Sequence, residues 1–133
     1  MMIDSKKEIA YKLQSSDLAK YLSIDPQDDF PEVLATSRMI ALMELAAARL
    51  MKPLLSENEL SVGVNVNVTH LAATPSNEEV RAVAIYKGKE GHLHKFVVEL
   101  YDKGGKVGTG THTRAIIAAD RLVQGALNRV NAT

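Results

Sequence analysis

Hydrophobic residues recur at helical spacing in the first half of the chain and at strand spacing in the second half. The segment ATSRMIALMELAAARLMKPLL, residues 35–55, is rich in alanine, leucine and methionine, lacks glycine and ends near Pro53. Its apolar positions repeat every three or four residues and extend almost all the way round the helix axis. The pattern predicts a long central helix, capped at its amino end by Thr36 or Ser37.

The second half of the chain alternates apolar and polar residues, as β-strands do. Three such runs, residues 78–88, 91–105 and 106–119, are separated by turn signals rich in glycine and lysine, so they predict an antiparallel meander. A valine-rich run at residues 61–70 precedes them and predicts one further strand.

Shorter segments predict the remaining elements. Residues 5–14 predict an opening strand, residues 15–22 a short helix, and residues 119–133 a terminal helix weakened by Gly125. The segment 23–33, rich in aspartate and proline, predicts an irregular surface stretch. Together the elements predict an α+β domain in which a curved antiparallel sheet wraps the central helix. Because one sheet cannot cover a helix that is apolar on all sides, we also expect dimerisation.

Length and composition limit the classes of protein. The chain has 133 residues and 46% hydrophobic content, which suits one domain over residues 1–133. Sixteen basic residues balance sixteen acidic ones, which argues against a nucleic-acid or anionic-membrane surface. The absence of cysteine excludes disulfides, a thiolate nucleophile and a cysteine-ligated metal. Because the sequence shows neither a signal peptide nor the roughly 20 apolar residues of a membrane span, we expect a cytoplasmic protein.

Two ionisable residues stand in apolar surroundings. Glu44 lies in the long helix between Met43 and Leu45, without a basic residue four positions before or after it. His70 ends the row Val62, Val64, Val66 and Val68, so we expect it to follow the valines toward the core. A buried carboxylate needs a polar partner, and we expect His70 to be the partner of Glu44. Such a pair suits ester or thioester hydrolysis, although either residue alone is more often structural.

Three segments carry a resemblance to a known family. They are FPEVLATSRMIALMELAAARLMKPLL, SVGVNVNVTHLAATP and VGTGTHTRAII, and the match covers roughly residues 30–118. The chain resembles the fluoroacetyl-CoA thioesterase family of the hotdog superfamily. The resemblance implies the hotdog fold and a homodimer, or a dimer of dimers, with active sites near the subunit interface. It also implies an acyl-CoA substrate, with no metal and no cofactor beyond the coenzyme A of that substrate.

The resemblance implies the site residues as well. Thr36, Glu44 and His70 match the family's catalytic residues, and Gly63 matches the glycine whose backbone amide stabilises the oxyanion. Glu44 would act as general base or nucleophile, His70 would hold a proton or polarise the carbonyl, and Thr36 would position the carboxylate or water. Thr36 and Glu44 are eight residues apart, about 12 Å along a helix, so Thr36 would need a folded-back segment, a water or the partner subunit. The alternative is that Thr36 only caps the helix.

The substrate pocket differs from that of the fluoroacetyl-specific enzyme, which has two phenylalanines before the helix. This chain keeps Phe30 but has Gln27 at the other place, and Leu34 replaces an aromatic residue. We therefore expect a small or medium acyl-CoA rather than fluoroacetyl-CoA. Arg114 matches a family arginine and is expected to bind CoA phosphates, or else to be an exposed solubilising residue.

Two other functions stay open. The first is an acyl-CoA hydratase on the same fold, which normally places its acid and histidine close together on one segment rather than on a helix and a separate strand. The second is a protein that binds a CoA thioester or a hydrophobic acid without turnover. The remaining histidines, His92, His94 and His112, receive no role from the sequence.

Overall fold

One antiparallel sheet packed on one long helix forms the computed structural model, which describes residues 1–132. The strands are β1 (Lys6–Lys12), β2 (Glu59–His70), β3 (Glu79–Glu90), β4 (Leu93–Asp102) and β5 (Gly105–Ala118). The helices are α1 (Thr36–Met51) and α2 (Ala119–Asn131). The sheet curves around α1, so the predicted α+β architecture is confirmed.

The order of strands across the sheet is β1-β3-β4-β5-β2. The predicted meander is confirmed, because β3, β4 and β5 pair with one another in sequence. The chain crosses over between β2 and β3, so that β2 pairs with β5 at the far edge. One long side of β2 therefore carries no partner strand within the described part of the chain.

Helix α1 lies against the sheet through one broad apolar face. The buried side chains of this face are Met39, Leu42, Met43, Ala46, Ala47 and Met51. They pack on the core side chains of the strands, among which Phe96, Val98 and Leu100 of β4 are fully buried. Leu45 stays exposed on the opposite flank of the helix, so the sheet leaves one apolar side uncovered.

The helix boundaries correct the predicted cap. Helix α1 begins at Thr36 itself, Ala35 holds the N-cap position, and within residues 1–132 no side chain caps this end. Thr36 and Ser37 are therefore wrong as N-caps. At the other end the helix passes into a 3₁₀ turn, Lys52–Leu54, which contains Pro53. Residues 15–22 also differ from prediction, because they form two 3₁₀ turns, Ser15–Asp17 and Ala19–Leu22, rather than one helix.

A β-bulge breaks the valine row of β2. The pairing with β5 shifts between Gly63, which lies opposite Arg114, and Asn65, which lies opposite Thr113. Val66 then lies opposite His112, two residues before Arg114 and on the same face of β5. Gly63 and Val66 thus share the face toward α1, and Val62 lies on the other face. The prediction of one continuous valine face is wrong, because the extra residue of the bulge reverses the alternation.

None of the helices in the described chain is long and apolar enough to cross a membrane.

Candidate active site

The Glu44 carboxylate projects from α1 toward β2 and β5. Its Oε1 accepts a hydrogen bond from Nη1 of Arg114 at 3.1 Å and lies 3.8 Å from Nε2 of His112. The Glu44 side chain is 37% exposed, whereas those of Arg114 and His112 are 8% and 1% exposed. We call Glu44, Arg114, His112, Gly63 and Ser61 the Glu44 cluster. It presents a reachable carboxylate on top of a buried polar layer.

Arg114 is buried and makes its contacts inside the protein. Its Nε donates to Oγ of Ser61 and its Nη2 to the Ser61 carbonyl, each at 2.9 Å, while Nη1 faces Glu44 and His112. Burial lowers the pKa of Arg114, and the charge and hydrogen bond of Glu44 act in the opposite direction. The exposed solubilising role is wrong, because the side chain is buried. Binding of CoA phosphates stays a prediction, and all three guanidinium nitrogens are already engaged inside the protein.

Sequence reasoning missed His112. Its Nδ1 lies 2.8 Å from the backbone carbonyl oxygen of Asn65, and its Nε2 lies 3.1 Å from Nη1 of Arg114. Burial lowers the pKa of His112 and Arg114 lowers it further, against the opposing effects of the Asn65 hydrogen bond and the Glu44 charge. The two-residue spacing of His112 and Arg114 was the available signal, because it puts two polar side chains on one face of a strand.

Gly63 lies directly under the Glu44 carboxylate. A Cβ atom built on Gly63 would overlap Oε1 of Glu44 and would come within 3.2 Å of Cε1 of His112. A glycine is therefore required for this close approach. The structure thus places Gly63 beside Glu44, while its role as an oxyanion donor stays a prediction.

Thr36 and His70 form a second polar pair. Oγ1 of Thr36, the first residue of α1, shares a 2.8 Å hydrogen bond with Nδ1 of His70, the last residue of β2. Nε2 of His70 is buried and finds no hydrogen-bond partner among residues 1–132. The predicted pairing of His70 with Glu44 is wrong within one chain, because Glu44 pairs with Arg114 and His70 pairs with Thr36.

The two polar groups lie at different points along α1. Thr36 and Glu44 are separated by eight residues of regular helix, which is a rise of about 12 Å. Neither a folded-back segment nor helix capping explains Thr36, since it is already helical and bonds to His70. One chain therefore holds the Glu44 cluster and the Thr36–His70 pair as separate parts.

An open cleft of about 500 Å³ adjoins Thr36 and His70. Its walls are mainly small apolar side chains, including those of Ala19, Val33, Leu34, Ala35, Ala72 and Ala73. Leu34 is buried at this cleft, whereas Phe30 is 48% exposed and lies outside the cleft lining of the described chain. The substrate-binding role of Phe30 stays a prediction without a contact that supports it.

Asp17, another residue that the sequence did not point to, holds the start of α1. Its buried carboxylate accepts hydrogen bonds from Tyr11 Oη, the Gln14 amide and Arg38 Nε, at 2.7, 2.7 and 2.8 Å. Its backbone carbonyl accepts the Ala35 amide at 2.9 Å, immediately before the helix begins. Burial raises the pKa of Asp17, but the three hydrogen bonds outweigh it and hold the pKa below its ordinary value of 3.8. Asp17 thus fixes the entry of the helix that presents Thr36.

The described part of the chain contains no group of three or more histidine, cysteine, aspartate or glutamate side chains placed to hold a metal ion.

Comparisons with known proteins identify the family. Residues 14–120 match the family model described as fluoroacetyl-CoA-specific thioesterase. The chain is 41% identical over 94 residues to the fluoroacetyl-CoA thioesterase of Streptantibioticus cattleyicolor, a match covering 71% of this chain and 68% of that protein.

Solved structures agree with the sequence comparison. A mutant of the fluoroacetyl-CoA-specific thioesterase in complex with fluoroacetate and CoA superposes with a TM-score of 0.87 at 32% identity, over 92% of this chain and 99% of that one. A hot-dog-like protein from Thermanaerovibrio acidaminovorans has a TM-score of 0.84 at 22% identity, over 98% and 94% of the two chains, and supports the fold alone. The resemblance drawn from the sequence is thereby confirmed, and this chain belongs to the hotdog-fold thioesterase family of the fluoroacetyl-CoA-specific thioesterase.

Proposed function

We propose that this protein hydrolyses small or medium acyl-CoA thioesters, without selectivity for fluoroacetyl-CoA, and that Glu44 drives the reaction. The observation that carries the proposal is the geometry of Glu44, whose reachable carboxylate is held by a buried arginine directly above Gly63. A carboxylate fixed in this way is suited to activate an attack on a thioester carbonyl placed over the glycine.

The chemical step follows from these positions. Glu44 takes a proton from water, whose oxygen attacks the thioester carbon, or its carboxylate attacks that carbon directly and water then cleaves the resulting anhydride. In either route the carbonyl oxygen becomes an oxyanion, for which the Gly63 amide is the proposed donor. The bond from carbon to sulfur breaks, and the CoA thiolate takes up a proton. His70 is the proposed donor of that proton, because its Nε2 has no partner in the described chain, and a proton released by the attacking water restores His70.

The proposed active unit is a homodimer formed through β2. This strand is a sheet edge, and it exposes the large apolar side chains Leu60, Val64 and Val66, while Leu45 is exposed on the adjoining helix. Pairing of two β2 strands would cover this surface and remove the open edge. A two-fold axis at β2 would also bring the Thr36–His70 pair of one subunit toward Glu44 of the other. The two groups, which lie far apart along α1 of one chain, would then meet across the interface.

The proposed substrate range follows from the cleft. If each heavy atom takes the roughly 30 Å³ share of a water molecule, a two-carbon acyl group fills only about 100 Å³. The cleft beside His70 measures about 500 Å³ and has walls of alanine, valine and leucine, so it accommodates longer acyl chains. Acyl-CoA as substrate is supported by the relative solved with CoA bound.

We propose the cytoplasm as the compartment of this protein, since a chain without cysteine suits reducing surroundings.

The direct test is release of free thiol from a panel of acyl-CoAs, from acetyl through medium-chain, aromatic and α,β-unsaturated members. We compare the parent with Glu44→Gln, which keeps an acceptor for Arg114, and with Glu57→Gln as an exposed control. We expect hydrolysis by the parent and the control, with a loss of at least about a hundredfold in Glu44→Gln. Hydrated enoyl-CoA without thiol release would establish the hydratase instead, and binding without any turnover would establish the binding protein.

The shared site is tested by mixing inactive subunits. Glu44→Gln and His70→Ala chains are unfolded together, refolded at equal amounts and assayed. If each site takes Glu44 and His70 from different subunits, half of the dimers are mixed and one site in each is intact, so about a quarter of the parent activity returns. No recovery in a preparation shown to contain mixed dimers would contradict the shared site and leave the Glu44 result standing.

A further inference from the structure

The hydrogen bonds around His112 determine which ring nitrogen carries its proton. The Asn65 carbonyl can only accept a hydrogen bond, so Nδ1 of His112, 2.8 Å away, must be the donor. The guanidinium of Arg114 can only donate, so Nε2 of His112, 3.1 Å from Nη1, must offer its lone pair. Geometry alone therefore assigns the neutral ring with its proton on Nδ1.

This ring forms the base of a chain of contacts that ends at the reactive carboxylate. The Asn65 carbonyl orients the His112 ring, the ring accepts from Nη1 of Arg114, and the same Nη1 donates to Glu44 Oε1 at 3.1 Å. Ser61 holds the other two nitrogens of the guanidinium. Nη1 is the one guanidinium nitrogen that joins the buried layer to Glu44, and His112 fixes its direction from below.

We propose that His112 is a positioning residue for thioester hydrolysis: its Nε2 lone pair holds Arg114 so that Nη1 aims at Glu44. This inference rests on the proposed function, since it assigns His112 a part in the same reaction. His112 touches no substrate in this assignment and acts only through Arg114.

Protonation of the ring would undo this arrangement. The groups that face His112 are Glu44 from α1, Arg114 from its own strand, the Asn65 carbonyl from β2 and the Phe96 ring from β4. A proton on Nε2 would point at a guanidinium that has only donors, so that contact would break. Burial is the largest cause that lowers the pKa of His112 below its ordinary value of 6.5, and this shift favours the neutral ring.

Two amide substitutions separate the two nitrogens of the ring. The terminal amide of glutamine lies near the position of Nε2, so His112→Gln can keep an acceptor for Arg114. The shorter amide of asparagine lies near Nδ1, so His112→Asn keeps a donor for Asn65 but leaves Nη1 without its acceptor. We expect His112→Asn to lower kcat roughly ten- to hundredfold with KM changed less than about threefold, and His112→Gln to recover most of the loss.

The matched control is His94→Asn. His94 is also a buried histidine with a lowered pKa, but it bonds to Tyr86 and lies outside the Glu44 cluster. We expect this variant to lose stability and to keep kcat. If His94→Asn and His112→Asn lower kcat equally, or if His112→Gln recovers nothing, His112 is only a packing residue and the proposal is overturned.

A measurement without substrate keeps this inference distinct from the proposed function. Long-range ¹H–¹⁵N spectra of the parent report which nitrogen of His112 is protonated, and spectra of the Arg114 side chain report whether Nη1 is held. We expect the Nδ1–H form at neutral pH, and faster rotation of the Arg114 Nη1 group in His112→Asn than in His112→Gln. An Nε2–H or doubly protonated ring, or unchanged Arg114 rotation, overturns the positioning role even if the parent hydrolyses thioesters. A parent inactive on every acyl-CoA refutes the proposed reaction and the catalytic role of His112 together, whatever the spectra show.

Discussion

Replacing Gly63 by alanine tests the closest approach in the candidate site. The added methyl group would overlap Oε1 of Glu44 and would lie 3.2 Å from Cε1 of His112. His112 cannot yield readily, because it is buried and bonded to Asn65. Glu44 is partly exposed and flexible, so its carboxylate has to move.

The size of the effect follows from the distances. Glu44 Oε1 must retreat by about 1 Å to reach an ordinary van der Waals contact with the new methyl group. Its 3.1 Å contact with Arg114 then lengthens beyond about 3.6 Å, where it is no longer a hydrogen bond. A misplacement of about 1 Å costs roughly a hundredfold in rate, or about 2.7 kcal/mol of barrier. The free energy of unfolding should fall by only about 1 kcal/mol, because the ion pair is partly exposed.

The assay is steady-state hydrolysis of the best acyl-CoA of the panel, together with urea unfolding at a fixed protein concentration. Gly125→Ala is the control, because a Cβ at Gly125 meets no atom within 4 Å in the exposed helix α2. We expect the control to keep kcat and to stabilise α2 by roughly 0.5–1 kcal/mol. A Gly63→Ala variant with the kcat of the parent would refute the placement of Glu44 over Gly63.

Two further predictions concern stability. Asp17→Asn removes the buried charge that three donors, Arg38 among them, now bond to, so the free energy of unfolding measured in urea should fall by about 3 kcal/mol. The exposed control Asp29→Asn should lower it by less than about 0.5 kcal/mol. Equal losses in the two variants would contradict the role of Asp17. Burial first, then the positive charges of Lys89 and the amino terminus, lower the pKa of His94 below 6.5, so the unfolded state binds more protons. The contribution of neutral His94 to the free energy of unfolding should thus be complete above pH 6.5 and should decline as the pH falls through the lower pKa of the folded state. Urea unfolding from about pH 5 to 8 measures this decline. An equally steep decline in His94→Asn would exclude His94 as its cause.

The long helix and the meander were predictable because both depend on patterns within a short stretch of chain. Apolar side chains recur every three or four residues along the face of α1 that packs on the sheet. Each strand of the meander follows the previous strand through a short turn. The helix start was not predictable to the residue. Thr36 has the chemistry of a cap, but its hydroxyl bonds to His70, which is 34 positions away in sequence.

The partners of the candidate site depended on contacts that no local pattern encodes. Glu44 of α1 pairs with Arg114 of β5, 70 positions further on, and the crossover places β2 beside β5, so that Gly63 and Ser61 join the same cluster. The bulge after Gly63 then decides which residues of β2 face the helix. A sequence pattern shows that Glu44 is unusual, but it does not show which cation lies beside it.

The sequence by itself determined the order and type of the main elements, the apolar core face of α1, and Glu44 and His70 as candidates, while its resemblance to the family added Thr36 and Gly63. Periodicity and residue chemistry are properties of neighbouring positions, so they survive without a structure. Only the tertiary structure decided that Glu44 pairs with Arg114 while His70 pairs with Thr36, and that a neutral histidine lies beneath both charges of the ion pair. Hydrogen bonds act over about 3 Å, so they depend on strand register and crossover, which packing of the whole chain sets.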